Sequence, residues 1–217
     1  AVDTFVKGIS MSPKLLDDYE GIIKWLDDLA DQYDDISVAY IGNPDRNDYT
    51  FAESGHFEHE ADWKVEERPW YLNVINAKDK DEVCISEPYI DSKTGLYCIT
   101  LSKAVYDKNG KFLGVFGADF YFDKLATILS NSYTDEGYAF LADQEGRIIN
   151  HPNKSYEISA DRSVTLEQAG YIDAVDSGES ITMKDYDGSR KVVYGLTDTY
   201  SKFNVICVKN WGVIYGK

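Results

Sequence analysis

The sequence predicts an α+β fold in which a long N-terminal helix precedes two antiparallel sheets, each flanked by helices. Apolar residues recur at helical spacing between residues 13 and 33, which indicates the helix. Three later β-type segments surround the turn signal Asn109-Gly110, which is typical of neighbouring antiparallel strands. A shorter series of strands and helices begins again after residue 132, and this repetition predicts a second module.

The N-terminal helix is predicted to begin at Ser12-Pro13, because Ser can accept from an unpaired backbone N–H and Pro suits the first helical position. Its apolar stripe recurs at spacings of four and three: Leu15, Tyr19, Ile22, Leu26, Leu29 and Tyr33. Ile23, Trp25 and Ala30 widen this surface. Two interpretations stay open: the helix packs against its own sheet, or it also forms the seam of a homodimer.

The first sheet is predicted from residue 35 onward, where the pattern changes to β-type alternation. The predicted elements are strands over 36–41, 49–52, 82–89, 96–106 and 112–122, a short helix opened by Pro69, and an irregular acidic loop over 53–67. A helix, two strands, a helical crossing and a three-strand meander, with helices on one side, make a PAS-like module.

The second module repeats this arrangement in shorter form after a helix over 123–129. The predicted elements are strands over 138–141, 147–149, 179–186, 190–197 and 203–209, with a short helix over 166–176. We therefore divide the chain into an N-terminal helical segment (1–34), a first PAS-like module that binds ligand (35–131) and a second PAS-like module (132–217).

Composition excludes several classes of partner. The 217 residues carry 38 acidic and 22 basic side chains, a net charge of −16, so the surface repels nucleic acids. No stretch approaches the roughly 20 apolar residues of a membrane span, and the missing initiator Met suggests a soluble piece of a longer protein.

The three cysteines give no strong signal. Cys84, Cys98 and Cys207 fit neither a dense disulfide framework nor a CxxC metal pair. Counting back from the hairpin turn does not set Cys84 opposite Cys98.

Arg68-Pro69-Trp70-Tyr71 is the most informative segment. The guanidinium of Arg68 is a permanent cation whose planar donors match a carboxylate, and the adjacent rings of Trp70 and Tyr71 supply aromatic walls. They open a predicted helix, where backbone N–H groups also attract anions. The segment is therefore a candidate anion site, although packing of both rings in the core is the alternative.

Carboxylates follow in the pattern Tyr89-Ile90-Asp91 and in Asp119, which ends an apolar run. Because Asp119 is predicted to lie in a central, buried strand, it needs a cationic partner. That partner is either Arg68, in a structural ion pair, or the ammonium group of a ligand. Asp91 is either a second ammonium partner or a turn-forming residue. If the cationic partner is the ammonium group of a ligand, Arg68 and Asp119 form a site for a small zwitterion.

Enzymatic interpretations have less support. Asp91 and Asp119 are conceivable as the acid and base of a hydrolase, but Arg68 is expected to hold both carboxylates ionised, which suits ammonium binding. His56 and His59 have a spacing that suits a metal, yet the surrounding charge favours a solvated loop. The sequence also lacks GxSxG and a Gly-rich phosphate loop, so we expect no cofactor, no metal and no catalysis.

The order Arg68-x-Trp70-Tyr71, Tyr89-x-Asp91 and Asp119 resembles the membrane-distal module of a double Cache sensor domain. The segment 143–152, Asp-Gln-Glu-Gly-Arg-Ile-Ile-Asn-His-Pro, is similar to the membrane-proximal module of the same family. The resemblance covers nearly the whole chain. It implies the extracytoplasmic ligand-binding part of a chemoreceptor, sensor histidine kinase or cyclic-dinucleotide enzyme, attached to the membrane only through spans that this chain lacks.

The resemblance to the amino-acid-binding branch also implies a role for each site residue. Arg68 and Trp70 would hold the ligand carboxylate, and the ammonium group would be held by the remaining aromatic and acidic residues: Tyr71, Tyr89, Asp91 and Asp119. The chain departs from the family at Trp63, where the motif has Tyr, and an indole donates one hydrogen bond but accepts none. A sensor for an amine or another small charged metabolite is therefore an alternative.

Overall fold

The computed structural model describes residues 2–33, 36–44, 63–91, 94–159 and 161–216. Its contacts divide the chain into two compact units, Ala1–Asp91 with Cys98–Tyr121, and Ser92–Tyr97 with Phe122–Lys217. Each unit contains one antiparallel sheet accompanied by helices, as the sequence predicts. The predicted strand 49–52 and both His56 and His59 lie outside the described residues.

The described residues of the first unit form three α-helices, two 3₁₀ helices and five strands. In chain order they are α1 (Val2–Met11), a 3₁₀ helix (Pro13–Asp17), α2 (Tyr19–Ala30), β1 (Val38–Gly42), a 3₁₀ helix (Val65–Glu67), α3 (Pro69–Ile75), β2 (Cys84–Ile85), β3 (Tyr89–Ile90), β4 (Tyr97–Tyr106) and β5 (Phe112–Tyr121). The sheet order is β1-β5-β4-β2, and β3 pairs with β4. The central strands β5 and β4 therefore carry most of the pairing.

The N-terminal helical segment is broken where one long helix was predicted. Pro13 begins a 3₁₀ helix, and Asp18 then takes an extended conformation with φ −110° and ψ 95°. The Asp18 carboxylate accepts from the N–H of Gly21 at 3.1 Å, so it caps a new helix, α2. The helix α1 was not predicted, although Val2, Phe5 and Ile9 follow helical spacing and are buried.

The first sheet packs helices on both faces, whereas the sequence predicted them on one. One face contacts α1 and α2 in a core that includes Phe5, Ile22, Leu26 and Phe116. The described side chains of the predicted apolar stripe thus pack against their own sheet: Leu15, Ile22, Leu26 and Tyr33. On the other face, α3 packs Trp70, Tyr71 and Val74 in a second core with residues of β1, β4 and β5. Because side chains alternate along a strand, the two cores use alternate residues of β5.

The second unit repeats the strand order of the first. Its elements are α4 (Phe122–Ser130), β6 (Gly137–Ala142), α5 (Leu166–Ala169), α6 (Ile172–Asp176), β7 (Ile181–Lys184), β8 (Arg190–Thr197), β9 (Asn204–Asn210) and α7 (Trp211–Tyr215). The sheet order β6-β9-β8-β7 places the first strand beside the last, as β1 lies beside β5. The helix α4, which the predicted division at residue 131 assigns to the first module, falls in the second unit.

Several predicted elements are shorter than expected. The strand predicted over 82–89 is two short strands, β2 and β3, and the helix predicted over 166–176 is interrupted at Gly170, which has φ 83°. Residues 147–149 form isolated bridges only. All three cysteines are free thiols, and Cys84 pairs in register with Ser102, not with Cys98. Among the described helices, none combines the length and apolar character that crossing a bilayer requires.

Candidate functional site

The segment around Arg68 is positioned by the start of α3. Arg68 immediately precedes the helix, with Pro69 at its first position, and Trp70 and Tyr71 are buried within its first turn. The Ser102 hydroxyl on β4 donates to the carbonyl of Trp70 at 3.0 Å, which fixes the helix to the sheet. Gly42 gives the indole room, because a Cβ at that position would overlap the Trp70 ring and Val65.

Arg68 has no acidic partner among the described residues. Its Cζ lies 5.5 Å from the centre of the half-buried Trp63 ring, a cation–π contact. Its Nε is buried and donates to no acceptor in the described part of the chain. Arg68 and Asp119 do not form an ion pair, so the structural interpretation in which these two residues neutralise each other is wrong.

Asp119 lies on β5, on the face that α3 covers, and is only 4% exposed. Its Oδ1 accepts hydrogen bonds from Tyr40 Oη and from Thr100 Oγ1, each at 2.7 Å. Tyr89 Oη lies at 3.5 Å from the same oxygen and at 2.7 Å from Thr100 Oγ1. Because the Thr100 proton points to Asp119, Tyr89 is the donor to Thr100.

Sequence reasoning missed Tyr40 and Thr100. Thr100 pairs directly with Asp119 across β4 and β5, and Tyr40 pairs with Gly117, two residues from Asp119 on the same face. Counting outward from the Asn109-Gly110 turn identifies the Thr100 pairing to within the one-residue bulge at Val105/Tyr106. The role of Tyr40 depends on which strand lies beside β5, and the turn signals do not reveal that.

Burial governs the ionisation of this cluster. It raises the pKa of Asp119 from 3.8 to about 7, although the hydroxyls of Thr100 and Tyr40 oppose the shift. The negative charge of Asp91 raises that pKa further. The expectation that Arg68 holds Asp119 ionised is therefore wrong, because desolvation outweighs the stabilising contacts. Burial likewise raises the pKa of Tyr40 and of Tyr89, so both remain protonated donors.

The remaining predicted site residues lie in the same unit. Asp91 follows β3 and accepts from Tyr121 Oη at 3.0 Å, and Tyr121 lies two residues beyond Asp119 on β5. The aromatic side chains pack into one cluster beneath and around α3: Tyr40, Trp63, Trp70, Tyr71 and Tyr89. The first unit thus carries a cation, several rings and two carboxylates, the kinds of group that bind the two ends of a zwitterion. Within the described ranges, no group of three His, Cys, Asp or Glu side chains is arranged to hold a metal.

Comparisons with known proteins identify the family. The model of the Cache domain (dCache_1) matches residues 14–215. The chain is 32% identical over 138 residues to the methyl-accepting chemotaxis protein McpC of Bacillus subtilis, covering 63% of this chain and 20% of McpC. It is 30% identical over 129 residues to PscA of Pseudomonas syringae pv. tomato, covering 55% of this chain and 19% of PscA. The chain thus spans about a fifth of the length of the curated relatives it matches.

Solved structures share the fold. The ligand-binding domain of the Pseudomonas fluorescens chemoreceptor CtaA in complex with L-serine superposes with a TM-score of 0.72 at 20% identity, covering 96% of this chain and 86% of that one. The corresponding domain of the Pseudomonas aeruginosa amino-acid chemoreceptor PctC with GABA gives a TM-score of 0.66 at 22% identity, covering 96% and 88%. The family match over residues 14–215 and the shared α+β fold show that this chain belongs to the Cache domain family.

Proposed function

We propose that this chain is the extracytoplasmic sensor domain of a membrane receptor for chemotaxis, and that its first unit binds an amino acid. One observation carries the proposal: Arg68, part-buried at the start of α3, has a buried Nε without an acceptor among the described residues, and Asp119 is buried in the sheet that α3 covers, yet the two do not form an ion pair. The ligand carboxylate would pair with Arg68, and its ammonium group with Asp119. The proposal assigns the aromatic and remaining acidic positions to the same ligand: Trp63, Trp70, Tyr71, Tyr89 and Asp91.

The energetics of Arg68 support this assignment. A buried N–H donor without an acceptor costs about 1–3 kcal/mol, so the buried Nε of Arg68 favours any ligand that supplies an oxygen there. A carboxylate does so with two oxygens that match the guanidinium edge, and such charge-assisted pairs are stronger than neutral ones. The ligand-free chain therefore carries the free-energy cost of an unsatisfied donor, and a bound carboxylate would remove that cost.

Asp119 supports the other half of the assignment. A buried carboxylate whose pKa is about 7 is stabilised in its ionised form by a cation brought next to it. An α-ammonium group meets this requirement. A neutral or purely anionic ligand does not, so simple sugars and dicarboxylates without an amine fit this site less well.

The similarity to known proteins supports the proposed receptor function. The curated relatives are methyl-accepting chemotaxis proteins, and domains of the same fold have been solved with L-serine, L-alanine and GABA. We propose that this chain likewise lies outside the cytoplasm, is connected to membrane spans that are not part of it, and catalyses no reaction. Homodimer formation through the N-terminal helical segment stays a prediction.

Isothermal titration calorimetry against the twenty common amino acids, GABA and simple amines tests the proposal. The purified chain is first unfolded and refolded to remove carried-over ligand. We expect saturable, stoichiometric binding of at least one amino acid, and a loss of at least tenfold in affinity in Arg68→Ala and Asp119→Asn. The matched controls Lys78→Ala and Glu87→Gln remove exposed charges from the same unit and should leave affinity unchanged.

Three outcomes would contradict the proposal in different ways. Silence across the whole panel rejects amino-acid sensing. Binding of amines without a carboxylate that is insensitive to Arg68→Ala identifies an amine sensor. Chemical conversion of a bound compound, detected by NMR and abolished in Asp119→Asn, identifies a hydrolase that uses Asp91 and Asp119.

A further inference from the structure

The two oxygens of Asp119 have different surroundings. Every hydrogen bond to this carboxylate from the described residues ends on Oδ1, where Tyr40 and Thr100 donate at 2.7 Å and Tyr89 lies at 3.5 Å. Oδ2 accepts no hydrogen bond from any of the described residues. Because the hydrogen bonds end on Oδ1 alone, they fix the plane of the carboxylate and leave Oδ2 able to accept hydrogen bonds from a ligand.

The backbone is built to allow the Tyr40 contact. Tyr40 on β1 pairs with Gly117 on β5, and a Cβ at Gly117 would overlap the Tyr40 ring. The phenol ring therefore lies over the bare backbone of Gly117 and reaches Asp119, two residues further along the strand. On its other side the ring meets Trp70 edge-on, with centroids 4.9 Å apart. Both contacts hold the phenol in place.

Thr100 makes the second contact from the opposite strand. It pairs directly with Asp119, is fully buried, and accepts from Tyr89 while it donates to Asp119. Tyr89, Thr100 and Asp119 thus form a directed chain of hydrogen bonds, while Tyr40 donates to Asp119 directly. Reversal of the Thr100 hydroxyl toward a ligand would break this chain.

Building on the proposed function, we propose that Tyr40 and Thr100 are positioning residues of the ligand site. Their hydroxyls hold Oδ1 of Asp119 so that Oδ2 receives the ammonium group of the amino acid. Neither residue contacts the ligand in this arrangement. They act through Asp119, by fixing its orientation and by stabilising its ionised form.

This arrangement links binding of the amino acid to release of a proton from Asp119. The titratable or charged groups on the elements around Asp119 include Tyr40 of β1, Tyr71 of α3, Tyr89 of β3, Cys98 of β4 and Tyr121 of β5, with Asp91 after β3 and Arg68 before α3. Burial raises the pKa of Tyr40, Tyr89 and Cys98, which stay protonated near neutrality. Asp119, with a pKa of about 7, is partly protonated there. An ammonium ligand therefore displaces a proton from Asp119, and its affinity falls in acid.

The first test needs no ligand. The Asp119 carboxyl carbon is followed by NMR in the ¹³C-labelled chain as pH varies, with Asp119→Asn to assign the signal. We expect the titration midpoint to move up by about one pH unit in Tyr40→Phe and in Thr100→Val, because each loses a donor to the carboxylate. Thr100→Ser keeps the hydroxyl and should keep the midpoint of the unmodified chain. Unchanged midpoints in both Tyr40→Phe and Thr100→Val would overturn the proposal.

The second test uses the amino acid that binds most tightly in the calorimetric panel, titrated between pH 5.5 and 9 in buffers of different ionisation enthalpy. We expect proton release near pH 6.5 and none at pH 9. Tyr40→Phe should weaken binding by about tenfold at pH 6.5 and by less than threefold at pH 9, where Asp119 is ionised in any case. An equal loss at every pH would reject the proposed effect of Tyr40 on the ionisation of Asp119.

The control Tyr106→Phe removes a hydroxyl from the same unit that makes no contact with Asp119, and should change neither the NMR midpoint nor the pH profile. Should Tyr40→Phe fold poorly, Thr100→Val and Thr100→Ser decide the question alone. Failure of the proposed function is distinguishable, because a chain that binds no amino acid still gives the NMR titration. If the NMR midpoint shifts in the variants but the chain binds no amino acid, Tyr40 and Thr100 affect the ionisation of Asp119, and their proposed role in ligand binding is rejected.

Discussion

Thr100 and Asp119 face each other across β4 and β5, and the threonine hydroxyl donates a 2.7 Å hydrogen bond to the carboxylate. Both residues are buried and lie on the two central strands of the first sheet. A carboxylate in such a place opposes folding whenever it is ionised. The proposed role in ligand binding accounts for a carboxylate at this position, since an apolar or amide side chain would stabilise the fold better.

Asp119→Asn is accordingly expected to stabilise the ligand-free chain at alkaline pH. Folding raises the pKa of Asp119 from 3.8 to about 7, so between these values the folded state holds a proton that the unfolded state has lost. The free energy of unfolding therefore falls as pH rises through this window, by about 1.4 kcal/mol per pH unit at most. The asparagine oxygen still accepts from Tyr40 and Thr100 but carries no charge.

The melting temperatures of the chain and of Asp119→Asn, measured by calorimetry from pH 5 to pH 8.5, check this prediction. The variant should melt a few degrees higher at pH 8.5, since about 1 kcal/mol corresponds to about 2–4 °C in a chain of this size, and the difference should shrink toward pH 5. Glu87→Gln removes an exposed carboxylate from the same unit and should show no such trend. A variant that is destabilised equally at both pH values would contradict the argument.

The sequence predicted the site's components but not their connections. Arg68-Pro69-Trp70-Tyr71 was predicted to start a helix because Pro suits the first helical position, and α3 begins at Pro69. Asp119 was predicted to be buried from the apolar run around it, and it is. The Tyr40 contact was not predicted, because it depends on the pairing of β1 with β5, which are far apart in the chain. Such pairings are set by tertiary packing and not by local pattern.

The N-terminal segment shows a different limit. The periodicity of its apolar residues predicts the buried face correctly, since Ile22 and Leu26 are buried against the sheet. The same periodicity concealed the break, because a helix restarted by the Asp18 cap continues nearly the same apolar spacing. Periodicity reports which face is buried, whereas a capping interaction decides where a helix begins.

Gly42→Ala is expected to destabilise the chain by about 1–3 kcal/mol, as overpacking of a well-packed core does. A methyl group at Gly42 would overlap both Val65 and the Trp70 ring, which are buried in the same core. The displaced indole would also disturb the start of α3, so amino-acid affinity should fall with stability. Urea denaturation followed by circular dichroism measures the first effect. Gly212→Ala, where an added methyl meets nothing within 4 Å, is the control and should be neutral or slightly stabilising.

The second unit contains its own buried polar cluster, centred on Asp185. Its carboxylate accepts from Tyr138 Oη at 2.8 Å and 3.0 Å, and from the hydroxyl of Tyr171. Asp185→Ala would leave two enclosed hydroxyls without this acceptor, so we expect a loss of at least about 1–3 kcal/mol in the free energy of unfolding. Urea denaturation provides the measurement. The exposed Asp176→Ala is the matched control, and an equally small effect of both would show that the cluster contributes no net stability.

His151 in the same cluster is expected to make the second unit acid-sensitive. Its ring contacts several aromatic side chains, its Nδ1 accepts from the N–H of Asn153 at 2.9 Å, and burial lowers its pKa from 6.5 to about 4. Between these values the unfolded chain binds a proton that the folded chain does not. The free energy of unfolding therefore falls as pH decreases from about 6.5 to about 4, the opposite of the trend that Asp119 produces.

His151→Phe removes this proton uptake while it retains an aromatic ring among its aromatic neighbours Phe140, Tyr156 and Tyr171. The variant should be less stable than the chain at pH 7.5, because the Asn153 N–H loses its acceptor, but its melting temperature should fall less between pH 7 and pH 4.5. Combining His151→Phe with Asp119→Asn removes the competing trend from the first unit and isolates that of His151. Parallel melting profiles for Asp119→Asn with and without His151→Phe would show that His151 is protonated as easily in the folded chain as in the unfolded one.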